Sequence, residues 1–183
     1  MVTNSFNHLK EIIEKERASG KKIVLTQGSF DLVHIGHARY LQKAKEQGDF
    51  LVVGVDSDKK IRSRKGPDRP VVPQDERMEM LTHIKHVDLV IMKDLGAPKW
   101  ELIKNVKPDV LIAVEETYTD EQIEDLNKFC GQVTVLERQA TTSTSAKIRL
   151  LQIGLADKLS QALMPKIIET IEIVFSEVKE EKK

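Results

Sequence analysis

Cysteine and long apolar runs are the scarcest features of this 183-residue chain. The single cysteine, Cys130, excludes an intramolecular disulfide and argues against a cysteine-based zinc site. No apolar run approaches the roughly 20 residues that a transmembrane helix needs. The amino-terminal stretch is charged and amphipathic, unlike a secretory signal. These absences predict a soluble protein of the reducing cytoplasm with no membrane partner.

An excess of charge of either sign is also lacking. Lys and Arg together number 29, and so do Asp and Glu. No global electrostatic field therefore favours nucleic acid or an anionic membrane, and we predict no nucleic-acid partner. Any affinity for phosphate must come from a few placed residues. The length suits one domain with a single core.

Short apolar runs that alternate with helical segments predict the fold. The runs at residues 21–28, 50–58, 87–92, 109–114 and 132–137 are rich in β-branched residues and are interpreted as buried strands. The segment 62–73 is interpreted as a basic loop. Strands that alternate with helices predict an α/β, Rossmann-like, doubly wound parallel sheet with helices on both faces. We assign this domain to residues 1–150.

The C-terminal part has a purely helical pattern. We interpret residues 151–183 as extra C-terminal helices that extend the same domain, with Pro165 marking a break or a new start. Such an apolar stripe is typical of a docked core face or a dimer contact. We predict a homodimer, and the part that these helices play in it stays open. The stripe consists of Ile167, Ile168, Ile171, Val174, Phe175 and Val178.

The most informative segment runs from Gly28 to His37, where the first long strand should be followed by a helix. Ligands bind at this carboxyl edge of open α/β sheets, and the amides that begin the helix attract anions. Gly28 and Gly36 let the backbone approach a phosphate closely. His34 and His37 are three residues apart, so both can donate to one phosphate chain and neutralise developing charge. The alternative is that they are ordinary polar residues at a helix start.

A second phosphate-binding candidate precedes the C-terminal helical region. Arg138 is followed by five consecutive hydroxyl side chains at 141–145. Arginine can hold a phosphate through two hydrogen bonds, and hydroxyls and amides at a helix start suit phosphate binding. A capped helix start is the alternative, although a cap needs only one of these residues. The predicted nucleotide-binding residues here are Arg138, Thr142, Ser143, Thr144 and Ser145.

These motifs resemble those of the cytidylyltransferase-like nucleotidyltransferases. The segment 28–49 is similar to the family's HxGH signature, and 138–145 is similar to its late Arg-x-x-x-x-Ser-Thr-Thr/Ser element. The loop Lys65–Pro70, with Arg77 after it, resembles the branch that contains the adenylyltransferase domain of ADP-heptose synthase. The spacing of Arg138 instead resembles the glycerol-3-phosphate cytidylyltransferase branch. The resemblance spans roughly residues 8–150.

The resemblance implies roles for individual residues. In the family the two histidines, here His34 and His37, contact NTP phosphates and stabilise the transition state. Lys65 and Arg77 are implied to hold the triphosphate or the acceptor phosphate and are counted with them as catalytic. Asp56 or Asp58 is expected near the base or ribose, and Asp58 is favoured of the two. The other nucleotide-binding residues that the resemblance implies are Gly28, Ser29, Phe30, Asp31 and Gly36.

The implied reaction is nucleotidyl transfer from an NTP to a small phosphorylated acceptor, with release of pyrophosphate. A divalent cation, Mg²⁺, is expected to bind with the NTP, and no protein metal ligand is predicted. ATP and a sugar phosphate are favoured; CTP with glycerol-3-phosphate or a related alcohol phosphate is the alternative. Ala113 and Val114 depart from the family pattern near the acceptor, so its identity is not carried over. A non-catalytic nucleotide-binding regulator is the alternative from another class.

Overall fold

A single sheet of six parallel strands organises the computed structural model, in the order β1-β4-β3-β2-β5-β6. The structure describes residues 1–114, 117–137, 139 and 144–180, except the side chains of 144, 145, 147 and 174–180. The strands are β1 (Val2–Thr3), β2 (Ile23–Gly28), β3 (Phe50–Asp56), β4 (Leu89–Lys93), β5 (Val110–Val114) and β6 (Gln132–Leu136). The helices are α1 (Phe6–Ala18), α2 (Ile35–Lys45), α3 (Asp58–Lys65), α4 (Gln74–Thr82), α5 (Glu101–Val106), α6 (Asp120–Leu126) and α7 (Thr144–Glu180).

Helices cover both faces of the sheet, because its central strands are apolar on both sides. All seven residues of β3 are buried, which is typical of a parallel strand between two helical layers. One core cluster joins the sheet to Leu9 of α1, Ile103 of α5 and Leu126 of α6. The other joins the opposite face to Leu41 of α2 and Leu81 of α4. The predicted doubly wound, Rossmann-like architecture is confirmed.

Two short elements differ from the sequence interpretation. The two-residue strand β1 pairs with β4 at the sheet edge and was missed, because two residues show no periodicity. Helix α3 includes residues 62–65, which were assigned to a loop. Ser57 caps it by accepting a hydrogen bond from the Lys60 amide at 3.3 Å, and the buried Ile61 anchors it. Gly66, with φ 92°, follows its last residue.

The C-terminal region is one continuous helix, α7, of 37 residues. The predicted break at Pro165 is wrong, because proline removes only one backbone donor and its neighbours are strong helix formers. The chain divides into two compact units, Met1–Thr141 and Thr142–Lys183. The assignment of 1–150 to one domain and 151–183 to its extension stays a prediction. Within the described ranges, no helix is both long and apolar enough to cross a membrane.

Candidate nucleotide-binding site

The order in which strands are added to the parallel sheet reverses at β2. From β2 the chain builds β3 and then β4 on one side, and it later places β5 and β6 on the other. In such sheets, ligands bind beside the carboxyl ends of the strands where the order reverses. The loop at residues 29–34 follows β2 at this edge and leads into α2. The structure thus places the Gly28–His37 segment at the switch point.

His34 and His37 are held at the start of α2 by hydrogen bonds to the backbone. Nδ1 of His34 accepts from the Gly36 amide at 3.1 Å, and Nδ1 of His37 accepts from the His34 amide at 3.3 Å. The ring centroids are 4.1 Å apart. Because an amide can donate only to an unprotonated nitrogen, these bonds assign the ring proton of each neutral histidine to Nε2. Both half-buried rings therefore carry an Nε2–H donor at the beginning of one helix.

The loop before α2 has an unusual backbone. Phe30 and Leu32 both have φ 48°, the left-handed region that residues with a Cβ seldom adopt. The Phe30 ring is buried against Gly28, where an added Cβ would lie 3.1 Å from the ring, and its centroid is 5.6 Å from that of His37. Gly28 therefore makes room for Phe30, which packs beside the histidine. Left-handed non-glycine residues of this kind concentrate at functional sites.

Asp31 connects this loop to the segment after α3. Its carboxylate is 3% exposed and accepts hydrogen bonds from the amides of Val71 at 3.1 Å and Val72 at 3.0 Å. The Arg69 guanidinium lies 2.7 Å from the same carboxylate. Asp31 was predicted to bind nucleotide, and the structure instead surrounds it with protein donors. It holds the 66–73 segment against the loop.

Arg77 braces the site from behind. Only 1% exposed, it donates to the backbone carbonyls of Ser29, Asp56 at 2.9 Å and Val72 at 2.9 Å. It also pairs with the Asp58 carboxylate at 2.8 Å. The sequence placed Arg77 among the catalytic residues and Asp58 near the base. The structure pairs them with each other and buries the arginine, so Arg77 presents no open surface to a triphosphate.

Lys65 and its neighbours give the same edge a positive charge. Lys65 is the last residue of α3, and Arg64 and Arg69 lie close enough to influence it. Desolvation, followed by repulsion from these two guanidinium groups, lowers the pKa of Lys65. A negatively charged ligand would relieve this repulsion. The structure thus keeps Lys65 among candidates for phosphate contact.

The structure forms a cluster around Asp56, at the end of β3, of which the sequence had indicated the acidic residue but not Lys93. Asp56 is 2% exposed and pairs with Arg64 at 2.7 Å and with Lys93 at 3.4 Å. Desolvation lowers the pKa of Lys93, while the Asp56 carboxylate opposes that shift. The acidic residues after the second apolar run were a signal for Asp56. Lys93 gave none, since it only ends an apolar run.

A further polar contact joins the end of β2 to the segment after β5. The Gln27 side chain at the end of β2 donates to the Tyr118 hydroxyl at 3.4 Å. Burial, with the nearby Tyr40 and Asp56, raises the pKa of Tyr118 to about 12. Tyr118 therefore stays a neutral hydroxyl at physiological pH, able to donate and accept hydrogen bonds.

The structure describes only part of the second phosphate-binding candidate, residues 138–145. Arg138, Thr142 and Ser143 lie outside the described residues. Thr144 and Ser145 begin α7, and their side chains are also outside the described set. Among the side chains that are described, no group of three or more His, Cys, Asp and Glu could hold a metal ion.

Solved structures of other proteins share this fold. The lipopolysaccharide core biosynthesis protein from Thermoplasma volcanium GSS1 superposes with a TM-score of 0.58 at 28% identity, covering 65% of this chain and 98% of that one. The pantoate-beta-alanine ligase from Francisella tularensis has the same TM-score of 0.58 at 15% identity, covering 79% and 69% of the two chains. The second likeness shows the fold alone.

Sequence relatives are more informative. The chain is 41% identical over 141 residues to the bifunctional protein HldE of a Nitratiruptor species, covering 76% of this chain and 30% of that protein. It is 40% identical over 140 residues to the bifunctional protein HldE of Syntrophotalea carbinolica, covering 75% and 28%. The chain thus matches less than a third of these relatives' length. Residues 25–180 match the cytidylyltransferase-like family model, and the chain belongs to that family.

Proposed function

We propose that this chain is a nucleotidyltransferase that transfers AMP from ATP to a sugar phosphate and releases pyrophosphate. The observation that carries the proposal is the pair of Nε2–H donors that His34 and His37 present at the start of α2. They lie at the edge where the switch in strand order favours ligand binding. Family membership and about 40% identity to HldE proteins support the same reaction class.

The proposed reaction is a direct in-line displacement. An oxygen of the acceptor's phosphate attacks the α-phosphorus of ATP, and the bond from that phosphorus to the β-bridging oxygen breaks. Pyrophosphate leaves with the bonding electron pair. The histidine donors stabilise negative charge on the α-phosphoryl group and the leaving pyrophosphate, and Lys65 adds positive charge for the same phosphates. No protein nucleophile is needed, so positioning and electrostatics supply the catalysis.

Arg77, Asp31 and Asp58 then act as positioning residues. The guanidinium of Arg77 ties the backbone at Ser29 to that of Asp56, so it sets the distance between the loop after β2 and the end of β3. Asp31 fixes the 66–73 segment against that loop. The buried charges of Arg77 and Asp31 are both neutralised by hydrogen bonds and ion pairs to other protein groups. Gly28, Ser29, Phe30 and Gly36 are proposed to contribute backbone shape and amides to the nucleotide phosphates.

Mg²⁺ is proposed to enter with the nucleotide. The carboxylates at this edge are engaged by arginines: Asp31 by Arg69, Asp58 by Arg77 and Asp56 by Arg64. This donor set suits an ion that the triphosphate and water molecules hold, not one held in a protein cage. When bound, such an ion neutralises charge on the phosphates.

ATP is favoured over CTP by the parts of the chain that resemble the ADP-heptose branch. These are the 65–70 loop and the helix before Lys21, and about 40% identity to the bifunctional HldE proteins supports the same branch. The choice between ATP and CTP depends on contacts to the base. We expect the segment after Val114 and residues 138–145 to make those contacts. Purified protein should therefore be assayed for pyrophosphate release with all four NTPs and a panel of sugar and polyol phosphates.

We expect a clear preference for ATP, because a mismatched base leaves buried polar groups unpaired. Faster turnover with CTP would reject the adenylyl assignment and keep the reaction class. NTP binding with no pyrophosphate release for any acceptor would favour the non-catalytic regulator. Since ATP is the proposed substrate, we also place the protein in the cytoplasm.

A homodimer is proposed from the properties of α7. Large apolar side chains along this helix are about half exposed, for example Leu159 at 52% and Ile167 at 48%. The helix carries three basic and one acidic residue over 144–161, but two basic and four acidic residues over 162–180. Antiparallel pairing with a second copy would place the basic half against the acidic half. Light scattering at tens of micromolar should give twice the chain mass, and a monomer would reject the proposal.

A further inference from the structure

One buried carboxylate oxygen stands out at the carboxyl edge of β3. Oδ1 of Asp56 is shielded from solvent and has no hydrogen-bond partner among the described residues. The Lys93 ammonium lies 3.4 Å from Oδ1, which makes an ion pair and, at that length, at most a weak hydrogen bond. The other oxygen, Oδ2, is satisfied by Arg64 at 2.7 Å. A buried carboxylate oxygen held by a contact this long is poorly satisfied, so it can accept a further, better-aligned donor.

A glycine lets neighbouring side chains approach this part of β3 closely. Gly54 lies two residues before Asp56 on the same face of β3, paired in register with Gln27 of β2. A Cβ at Gly54 would lie 2.5 Å from Leu102 Cδ2, 2.9 Å from Lys93 Cδ and 3.3 Å from Gln27 Cγ. The absence of a side chain there lets Leu102, the Lys93 stem and Gln27 pack against Gly54, and Lys93 then reaches Asp56. Polar groups from three neighbouring strands thus meet on one face.

The charges around Oδ1 restrict what it can bind. Lys93 and Arg64 flank it, which disfavours a second cation. The carboxylate itself disfavours an anion at the same point. A neutral O–H donor is repelled neither by the basic side chains nor by the carboxylate, so a ligand hydroxyl is a suitable partner for Oδ1. The surrounding basic groups, with Lys65 nearby, favour a phosphate elsewhere on the same molecule.

The cluster adjoins the nucleotide site but lies on the opposite side of β2 from β5. Arg64 lies 3.4 Å from the Ser29 hydroxyl as well as contacting Asp56, so it links the cluster to the loop after β2. Gln27 and Tyr118 form a boundary toward β5. With the phosphates at the start of α2 and the base on the β5 side, the β3–β4 side remains for the acceptor.

We propose that Asp56 and Lys93 form the acceptor-specificity site of this enzyme, in which Asp56 Oδ1 accepts a hydrogen bond from a hydroxyl of a polyhydroxylated phosphate ester. Lys93 orients the carboxylate and adds positive charge toward the ester. The inference rests on the proposed nucleotidyl transfer and names the feature of the acceptor that this chain selects. An alcohol phosphate without further hydroxyls would leave Oδ1 unpaired and should bind more weakly.

The test measures acceptor binding without turnover. Isothermal titration is performed with an aldohexose 1-phosphate, with its singly deoxygenated analogues and with inorganic phosphate, at a saturating level of α,β-methylene-ATP. The wild-type protein should bind the full sugar phosphate at least about tenfold more tightly than one of the deoxy analogues, the effect of one hydrogen bond to a charged group. Asp56→Asn and Lys93→Met should each weaken sugar-phosphate binding by about tenfold. Both should leave affinity for the ATP analogue unchanged.

The discriminating readout is the deoxy series. In Asp56→Asn the preference for the hydroxyl should shrink toward unity, which a merely structural carboxylate would not produce. Asp125→Asn and Lys128→Met make the same chemical changes in an exposed ion pair at α6 and should alter nothing. If Asp56→Asn does not fold, Lys93→Met carries the comparison.

Three results would overturn the inference. These are equal binding of all the deoxy analogues, an equal loss of ATP-analogue affinity in both variants, and no binding of any aldose phosphate by the wild-type protein. Turnover with a simple alcohol phosphate in that last case would leave nucleotidyl transfer standing while this inference falls. Absence of turnover with every acceptor, despite hydroxyl-selective binding that depends on Asp56, would reject the proposed function instead.

Discussion

The two sides of the loop after β2 use their polar side chains in opposite ways. On the open side, His34 and His37 are half-buried and use Nδ1 on the backbone, which assigns their protons to Nε2. On the closed side, Asp31 and Arg77 are almost fully buried, and their charges are used on backbone amides, carbonyls and ionic partners. Equally conspicuous residues in the sequence therefore divide into those proposed to face a ligand and those that fix the frame.

Replacement of Arg77, on the closed side, should have the largest effect on stability. Arg77→Met should lower the free energy of unfolding by about 3–5 kcal/mol, because it removes a fully buried partner from the Asp58 carboxylate and the donor to three backbone carbonyls, of which that of Asp56 is buried. Urea unfolding measures the loss. Arg39→Met, an exposed arginine of α2, should change stability by under about 0.5 kcal/mol. Equal stability of the Arg77 and Arg39 variants would show that the brace does not exist.

Replacement of either histidine should reduce turnover strongly and stability only slightly, the opposite of the Arg77 variant. His37→Ala and His34→Ala should each reduce turnover by about 10²–10³, the usual effect of removing one donor to developing charge. Nucleotide affinity should fall far less. His34→Ala should also lose about 1 kcal/mol of stability, since His34 is the N-cap of α2. His83→Ala, at an exposed position, is the control. Near-normal turnover in both site variants would remove the histidines from the mechanism.

Asp31→Asn should give an intermediate effect. The change keeps the shape but removes the charge that holds Arg69 and two backbone amides, so stability should fall by about 2 kcal/mol. Because the carboxylate contacts protein donors, nucleotide affinity should change only as far as the 66–73 segment loosens. Limited proteolysis of that segment, with Asp125→Asn as control, would report the loosening. A large loss of nucleotide affinity without increased cleavage would instead indicate direct contact.

The smallest expected effect concerns the backbone strain at Leu32. This residue has φ 48° and is 36% exposed, so glycine would relieve strain of about 1 kcal/mol and lose little packing. Leu95→Gly is the matched control, because Leu95 is an exposed loop leucine without positive φ. We expect Leu32→Gly to be more stable than Leu95→Gly by about 1 kcal/mol in thermal unfolding. Equal stabilities would mean that the loop stores no strain at this position.

Much of the fold could be predicted from the residues themselves. The β-branched runs predicted five of the six strands because a parallel strand buried on both faces must be apolar along its length. The short β1 and the helix α3 were not predicted. The first is defined only by its partner β4, and the second is a basic segment whose helix depends on the Ser57 cap and the buried Ile61. The continuity of α7 through Pro165 was also misjudged.

The sequence by itself determined the chemistry of the site: a histidine pair after a buried strand, glycines where backbone must come close, and a local supply of positive charge. Only the tertiary structure decided how these groups divide. It buried Arg77 and Asp31 behind the loop, and it brought Lys93 of β4 beside Asp56 of β3. The physical reason is that burial and partnership depend on which strands become neighbours. The pairing of Asp56 with Lys93 joins residues 37 positions apart, and no local pattern encodes it.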